Sequence, residues 1–191
     1  MAQSIDFDER IDVAAQLTKR AKIFYDVWWL YEGTDTRPIY LASMNRFSEF
    51  FRFDSHAHFV SLVIHLAGLF ESRSDTINFP VLVAEAENLS LVNAAAIAQA
   101  RTVLDQIASL PSKLTILRSN LFAHRSARLF YKEAFEKADI TPDQVRDLAV
   151  AALRIANLLL SWRGLPEQHF HELSRHDAES LLKRLSGAPA G

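Results

Sequence analysis

The sequence contains no cysteine. That excludes disulfide cross-links, thiol catalysis and cysteine-ligated metals. Glycine (5) and proline (6) are sparse over 191 residues, which disfavours a fold of many short strands joined by tight turns. Neither sign of charge dominates: 21 Lys and Arg against 23 Asp and Glu leave a formal net charge of −2. A general nucleic-acid binder is normally basic, so any such contact here has to be local, or made by an assembled surface. The longest apolar run, Phe59 to Phe70, carries His65 and is too short to span a bilayer. Met1 to Asp12 is polar and acidic and does not read as a signal peptide. The expectation is a cytoplasmic protein with no membrane contact.

What is present suffices for a core. Hydrophobic residues make up 49%, and 13 Phe and 3 Trp supply much of the volume. Charged residues, at 23%, are average for a folded chain. The apolar period is helical almost throughout. A first helix is expected over 5–32, where Val13, Leu17, Phe24, Val27, Trp28 and Tyr31 recur at three- and four-residue steps. Gly33 to Pro38 breaks the pattern. A second helix is expected over 39–51, and a third over 55–71 with Asp54 as its N-cap. Residues 72–79 read as a loop, Pro80 as the first turn of a short helix to Glu87, and 94–109 as an alanine-rich helix. Pro111 opens a helix reaching about residue 128. In Thr141-Pro142-Asp143-Gln144, Thr is placed to cap, Pro to occupy the first position and Gln to follow three residues after the cap. That helix ends near Gly164. From Glu167 the chain is polar and reads as a short helix followed by a loose tail over 187–191. The expected architecture is an all-α helical bundle of about six to seven helices in a single domain. Phe24, Trp28, Tyr31, Phe47, Phe50, Phe51 and Phe53 form a dense aromatic zone. Such rings can stack bases, but aromatics at helical spacing are far more often core, and core is the expectation.

One stretch points at a chemistry: Leu117-Arg118-Ser119-Asn120-Leu121-Phe122-Ala123-His124-Arg125. An arginine can hold a phosphate, and a histidine can move a proton at neutral pH. Together they suit RNA cleavage without a metal. A ribose hydroxyl would attack the adjacent phosphate with His124 as general base or acid, while Arg118 holds the phosphate oxygens and stabilises the added charge. Asn120 and His124 are four apart, so they share a helix face and Asn120 could fix the imidazole tautomer. Arg118 and His124 are six apart, about 120° around the axis and roughly 9 Å along it. One straight helix places them poorly for gripping one small group. Two copies meeting at a two-fold axis would set two arginines and two histidines around one cleft. Arg125 and Arg128 are the candidates for contacting RNA phosphate. Taken alone, an arginine and a histidine at this spacing read more often as a surface cation and a core or capping imidazole.

In its all-α setting the motif resembles the HEPN superfamily: Arg-x(5)-His on a late helix, with the histidine in an Ala-His-Arg context. Within it the similarity is to the abortive-infection branch, the AbiU-like proteins. Leu69-Phe70-Glu71 followed by Ser74-Asp75-Thr76-Ile77 is similar to that branch. So is the stretch from Phe130 to Leu148, where a Phe- and Lys-containing linker leads into Thr-Pro-Asp. The likeness covers about residues 20–165. It implies a helical bundle that forms a homodimer through the motif helices. It further implies metal-independent endoribonuclease activity, in phage defence or a toxin–antitoxin system, with an antitoxin protein as a candidate partner. Arg118 and His124 take the catalytic positions, and Ser119 and Asn120 assist. The residue after the arginine is usually Asn or Asp in that superfamily; here it is Ser119, with Asn120 one step later. Some members are non-catalytic binding modules.

Two other classes compete. One is a non-enzymatic HEPN-like interaction or RNA-binding module, separated from the enzyme by turnover of RNA. The other is a metal-binding helical bundle using His56, His58 and His65, of which His58 and His65 share a face. No third ligand has matching spacing, and two exposed histidines and a semi-buried one behind a capping aspartate are the commoner meaning. His169, His171 and His176 lack zinc-protease spacing and read as solvated tail. Lys19, Arg20 and Lys22 read as a solvated face. No metal and no cofactor are expected.

Overall fold

A computed structural model describes residues 6–123, 131–168 and 173–187. Among the described residues lie nine helices and no strand: α1 (Phe7–Glu32), α2 (Arg37–Arg46), α3 (Ser48–Phe70), α4 (Phe79–Asn88), α5 (Ala94–Gln106), α6 (Leu110–Ala123), α7 (Tyr131–Ala138), α8 (Pro142–Trp162) and α9 (Leu173–Leu185). The all-α expectation holds, with more helices than the expected six to seven.

α1 is the central element. It packs most extensively on α3, then on α8, and also meets α9 and α2. Its innermost residues are Ile11, Ala14, Thr18, Ala21, Tyr25 and Trp28. Of the stripe expected from apolar spacing, Val27, Trp28 and Tyr31 are buried, while Val13, Leu17 and Phe24 lie half-buried. A helix covered on several sides buries its small residues too, so apolar spacing alone marks only part of the buried face. A smaller core joins Val27, Leu30 and Tyr31 of α1 to Tyr40 and Met44 of α2, Phe51 of α3 and Leu182 of α9.

Three expectations are corrected. Asp54 does not cap a helix. The chain breaks at Phe47 (φ −126°, ψ 44°), and α3 runs uninterrupted through Asp54. The reason is a continuous buried stripe, Phe51, Ser55, Phe59, Leu62, Leu66 and Leu69, in which burial of Ser55 hides the helical period from a hydrophobicity reading. Second, residues 131–138 of the expected linker form α7, whose Phe135 ring lies 5.3 Å from that of Phe59. Its Ala134 and Ala138 are buried on one side while Lys132, Glu133, Glu136 and Lys137 dominate its composition. Third, the aromatic zone is not all core. Trp28, Tyr31 and Phe51 are buried, but Phe47, Phe50 and Phe53 are 43%, 56% and 68% exposed.

α8 begins as its sequence indicates. The Thr141 side chain accepts from the Gln144 N–H (3.2 Å), and the Gln144 side chain accepts from the Thr141 N–H (3.0 Å). α8 ends at Trp162, with Gly164 in the left-handed region at φ +67°. Residues 188–191 of the expected tail, and His169 and His171, lie outside the described residues. His176 is exposed, as expected, and so are Lys19 and Arg20, whereas Lys22 pairs with the buried carboxylate of Asp26 (2.5 Å).

Candidate functional site

α6 carries the first part of the motif and packs chiefly on α3 and α7. Leu114 and Leu117 point inward and are fully buried. They fix the rotation of the helix, which brings Arg118 to its edge, half-buried, and leaves Ser119 exposed. The backbone of Asn120 belongs to α6. The Asn120 side chain, together with His124, Arg125 and Arg128, lies outside the described part of the chain.

Arg118 meets Glu71, its Nη1 3.9 Å from Oε2. Glu71 closes α3, its own N–H donating to the carbonyl of Ala67 at 3.0 Å. The carboxylate therefore sits at the negative end of a helix dipole, where a guanidinium is welcome. Beyond Glu71 the loop is tied down. Arg73 grips Asp75 with two hydrogen bonds, at 3.0 and 2.7 Å. That grip raises the Arg73 pKa, with the charges of Asp75 and Glu71 adding to it, and lowers the Asp75 carboxyl. Asn78 is fully buried. Its amide donates to the Arg73 carbonyl (2.8 Å) and to Thr76 Oγ1 (3.0 Å), while its oxygen accepts the Val81 N–H (2.9 Å) and caps α4. Arg118 thus meets Glu71 directly, and two residues further along the loop a second guanidinium, Arg73, is engaged with Asp75.

An ion pair of this length, partly exposed to water, contributes little, about 0–1 kcal/mol. Glu71 holds Arg118 loosely enough for a phosphate to replace it, and a guanidinium binds phosphate in two-pronged fashion. Sequence reasoning singled out Arg118 but quoted Glu71 only as part of a resembling stretch, and it missed Arg73. The signal was present: a lone acid at the close of an apolar helix, followed by an Arg-x-Asp turn.

The histidines of α3 do not gather. His58 Nδ1 donates to the Asp54 carbonyl (2.8 Å) and His65 Nδ1 to the Ser61 carbonyl (2.7 Å). Their rings stand 5.8 and 5.3 Å from that of Phe24. Among the described residues no group of three or more His, Asp or Glu is placed to share a metal. A groove between α5 and α8, lined by Gln99, Thr102, Arg154 and Asn157, contains neither Arg118 nor Glu71.

A family model, AbiU2 of the HEPN group, matches residues 4–181. The chain belongs to the AbiU2 family. The match extends from before α1 into α9, well beyond the 20–165 over which a likeness was expected. No curated protein and no solved structure matches the chain. Among the described residues of this AbiU2 protein, no helix is long and apolar enough to cross a membrane.

Proposed function

We propose that this AbiU2 protein is a metal-independent endoribonuclease acting in abortive infection or a toxin–antitoxin pair. The observation that carries the reading is the half-buried Arg118, held at the edge of the motif helix by one weak acidic partner, in a chain of the HEPN group. In the proposed reaction the ribose 2′-oxygen attacks the neighbouring phosphorus and the bond to the 5′-oxygen breaks. His124 of one copy takes the proton from the 2′-hydroxyl. His124 of the second copy supplies a proton to the departing 5′-oxygen. Arg118 replaces Glu71 with the phosphate and stabilises the charge that builds on its oxygens. Ser119 and Asn120 assist, and Arg125 and Arg128 contact flanking phosphates. The products are a 2′,3′-cyclic phosphate, or its hydrolysis product, and a 5′-hydroxyl end.

The shared site calls for a homodimer through α6. Ile116, exposed on that helix, is the residue through which the pairing can be probed. Unstacked loops are the preferred substrate because their hydroxyl can swing in line with the phosphate.

The test is cleavage of single-stranded and hairpin-loop RNA in EDTA, with the product ends identified. His124→Ala and Arg118→Ala should each lose on the order of 10²–10⁴-fold in rate. Ser119→Asn should raise the rate if the family's usual residue serves the site. Wild-type cleavage surviving in His124→Ala would assign the activity elsewhere. A second reading, a non-catalytic RNA-binding module, draws on Ser119 standing after Arg118 where the superfamily usually has Asn or Asp; RNA bound by the dimer but never cut would establish it.

A further inference from the structure

The three exposed phenylalanines at the start of α3 have no role in the site just described. Phe47, Phe50 and Phe53 follow one another at three-residue steps, about 4.5 Å apart along the axis. Each end of the row carries a guanidinium: Arg46 lies over the Phe47 ring (5.9 Å) and Arg52 over the Phe53 ring (5.7 Å). α9 ends beside them, since Arg46 Nη1 donates to the Leu185 carbonyl at 3.3 Å. That brings the exposed Lys183 and Arg184 of the last turn to the same corner. Residues 37–54 and 179–187 together hold five cations, Arg37, Arg46, Arg52, Lys183 and Arg184, against three acids, Glu49, Asp54 and Glu179, with Glu49 paired to Arg52 at 2.7 Å. This net-positive corner belongs to a chain whose net charge is −2.

We propose that this corner binds single-stranded RNA, its rings stacking on bases and its cations following the phosphates. The proposal rests on the ribonuclease reading above and adds to it a substrate-holding surface about 30 Å along α3 from Glu71. A polyanion is drawn to the basic corner of an otherwise acidic molecule. Rings interleaved with arginines are what a sequence-tolerant single-strand site requires, because every base offers a flat face and every linkage a charge. The alternation also separates the corner from a purely apolar docking face, whose centre would be depleted of charge.

Binding of a labelled, unstructured RNA of about 20 nucleotides is followed by fluorescence anisotropy between about 50 and 200 mM salt, in the His124→Ala background to prevent turnover. Phe50→Ala with Phe53→Ala should weaken binding on the order of tenfold or more. Arg46→Gln with Arg52→Gln should flatten the salt dependence by about 1.4 in slope, roughly 0.7 for each cation. Circular dichroism should match the parent for both pairs and melting temperature for the exposed phenylalanine pair, since alanine suits a helix, whereas Arg46→Gln gives up its bond to the Leu185 carbonyl and Arg52→Gln its pairing with Glu49. With His124 intact, both pairs should raise KM for long RNA and leave kcat unchanged. Equal affinity in parent and both double variants would overturn the proposal. So would a corner that binds vesicles of anionic lipid but not RNA, or parent protein with no affinity for single strands. Failure of the ribonuclease reading looks different: the RNA binds and the variants weaken it, yet no strand is cut.

Discussion

Arg118 owes its position to its neighbours in the chain. Leu114 and Leu117 anchor one side of α6, so the next residue emerges at the rim rather than in the core or in open water. Tyr31 shows the opposite case, a polar group drawn inside. Its hydroxyl donates to the Asp54 carboxylate at 2.8 Å. Burial, with the Asp54 bond and charge, pushes the Tyr31 phenol well above its ordinary value, and burial does the same to Tyr25. The folded protein therefore keeps protons that the unfolded chain releases once pH passes about 10. Their stabilising contribution is complete below that pH and declines as pH climbs toward the raised folded values. Thermal melts between about pH 8 and 11 should show stability falling at the alkaline end. Tyr31→Phe should be less stable at pH 8 by about 1 kcal/mol and should fall less steeply above pH 10, with Tyr25 and Tyr40, both also raised by burial, contributing to the remaining slope. An identical slope in parent and variant would remove Tyr31 from the account.

At the scale of elements, the loop between α3 and α4 depends on Asn78. Asn78→Ala removes a helix cap and strands buried partners, which should cost about 2–3 kcal/mol. Asn93 caps α5 in the same way, accepting the Ala96 N–H at 2.9 Å, but it is exposed. Asn93→Ala should cost only about 1 kcal/mol. Urea denaturation of the two variants side by side checks the ranking, and equal losses would deny Asn78 its special place. Neither of these caps was read in advance, but other boundaries were. The start of α8 was legible because its signal lies within four consecutive residues. The boundary between α2 and α3 was not, because Asp54 looks like a cap until Tyr31, remote in sequence, is seen to claim its carboxylate. α7 was hidden because its buried side is mostly alanine. The motif was legible as residues, but the meeting of Arg118 with Glu71 depends on how α6 lies along α3, which no local pattern encodes.

At the scale of the whole molecule, charge and apolar surface are unevenly spread. The basic aromatic corner and the exposed Ile116 belong to different helices, so the proposed contact with RNA and the proposed pairing of copies can be tested separately. Light scattering at micromolar concentration should give twice 21.6 kDa. Ile116→Glu should return the mass to 21.6 kDa and abolish cleavage while the helical spectrum persists. A wild-type mass of one chain, or a variant that stays paired, would move the contact away from α6. One last consequence follows from α3, whose 23 residues contain no proline and no break at Asp54. Had the chain ended one helix there and begun another, the joint would have been a hinge. Instead the helix is a strut, with the aromatic rings at one end and the carboxylate facing Arg118 at the other. The two ends therefore keep a fixed separation, set by the length of one unbroken helix packed along α1 and α6.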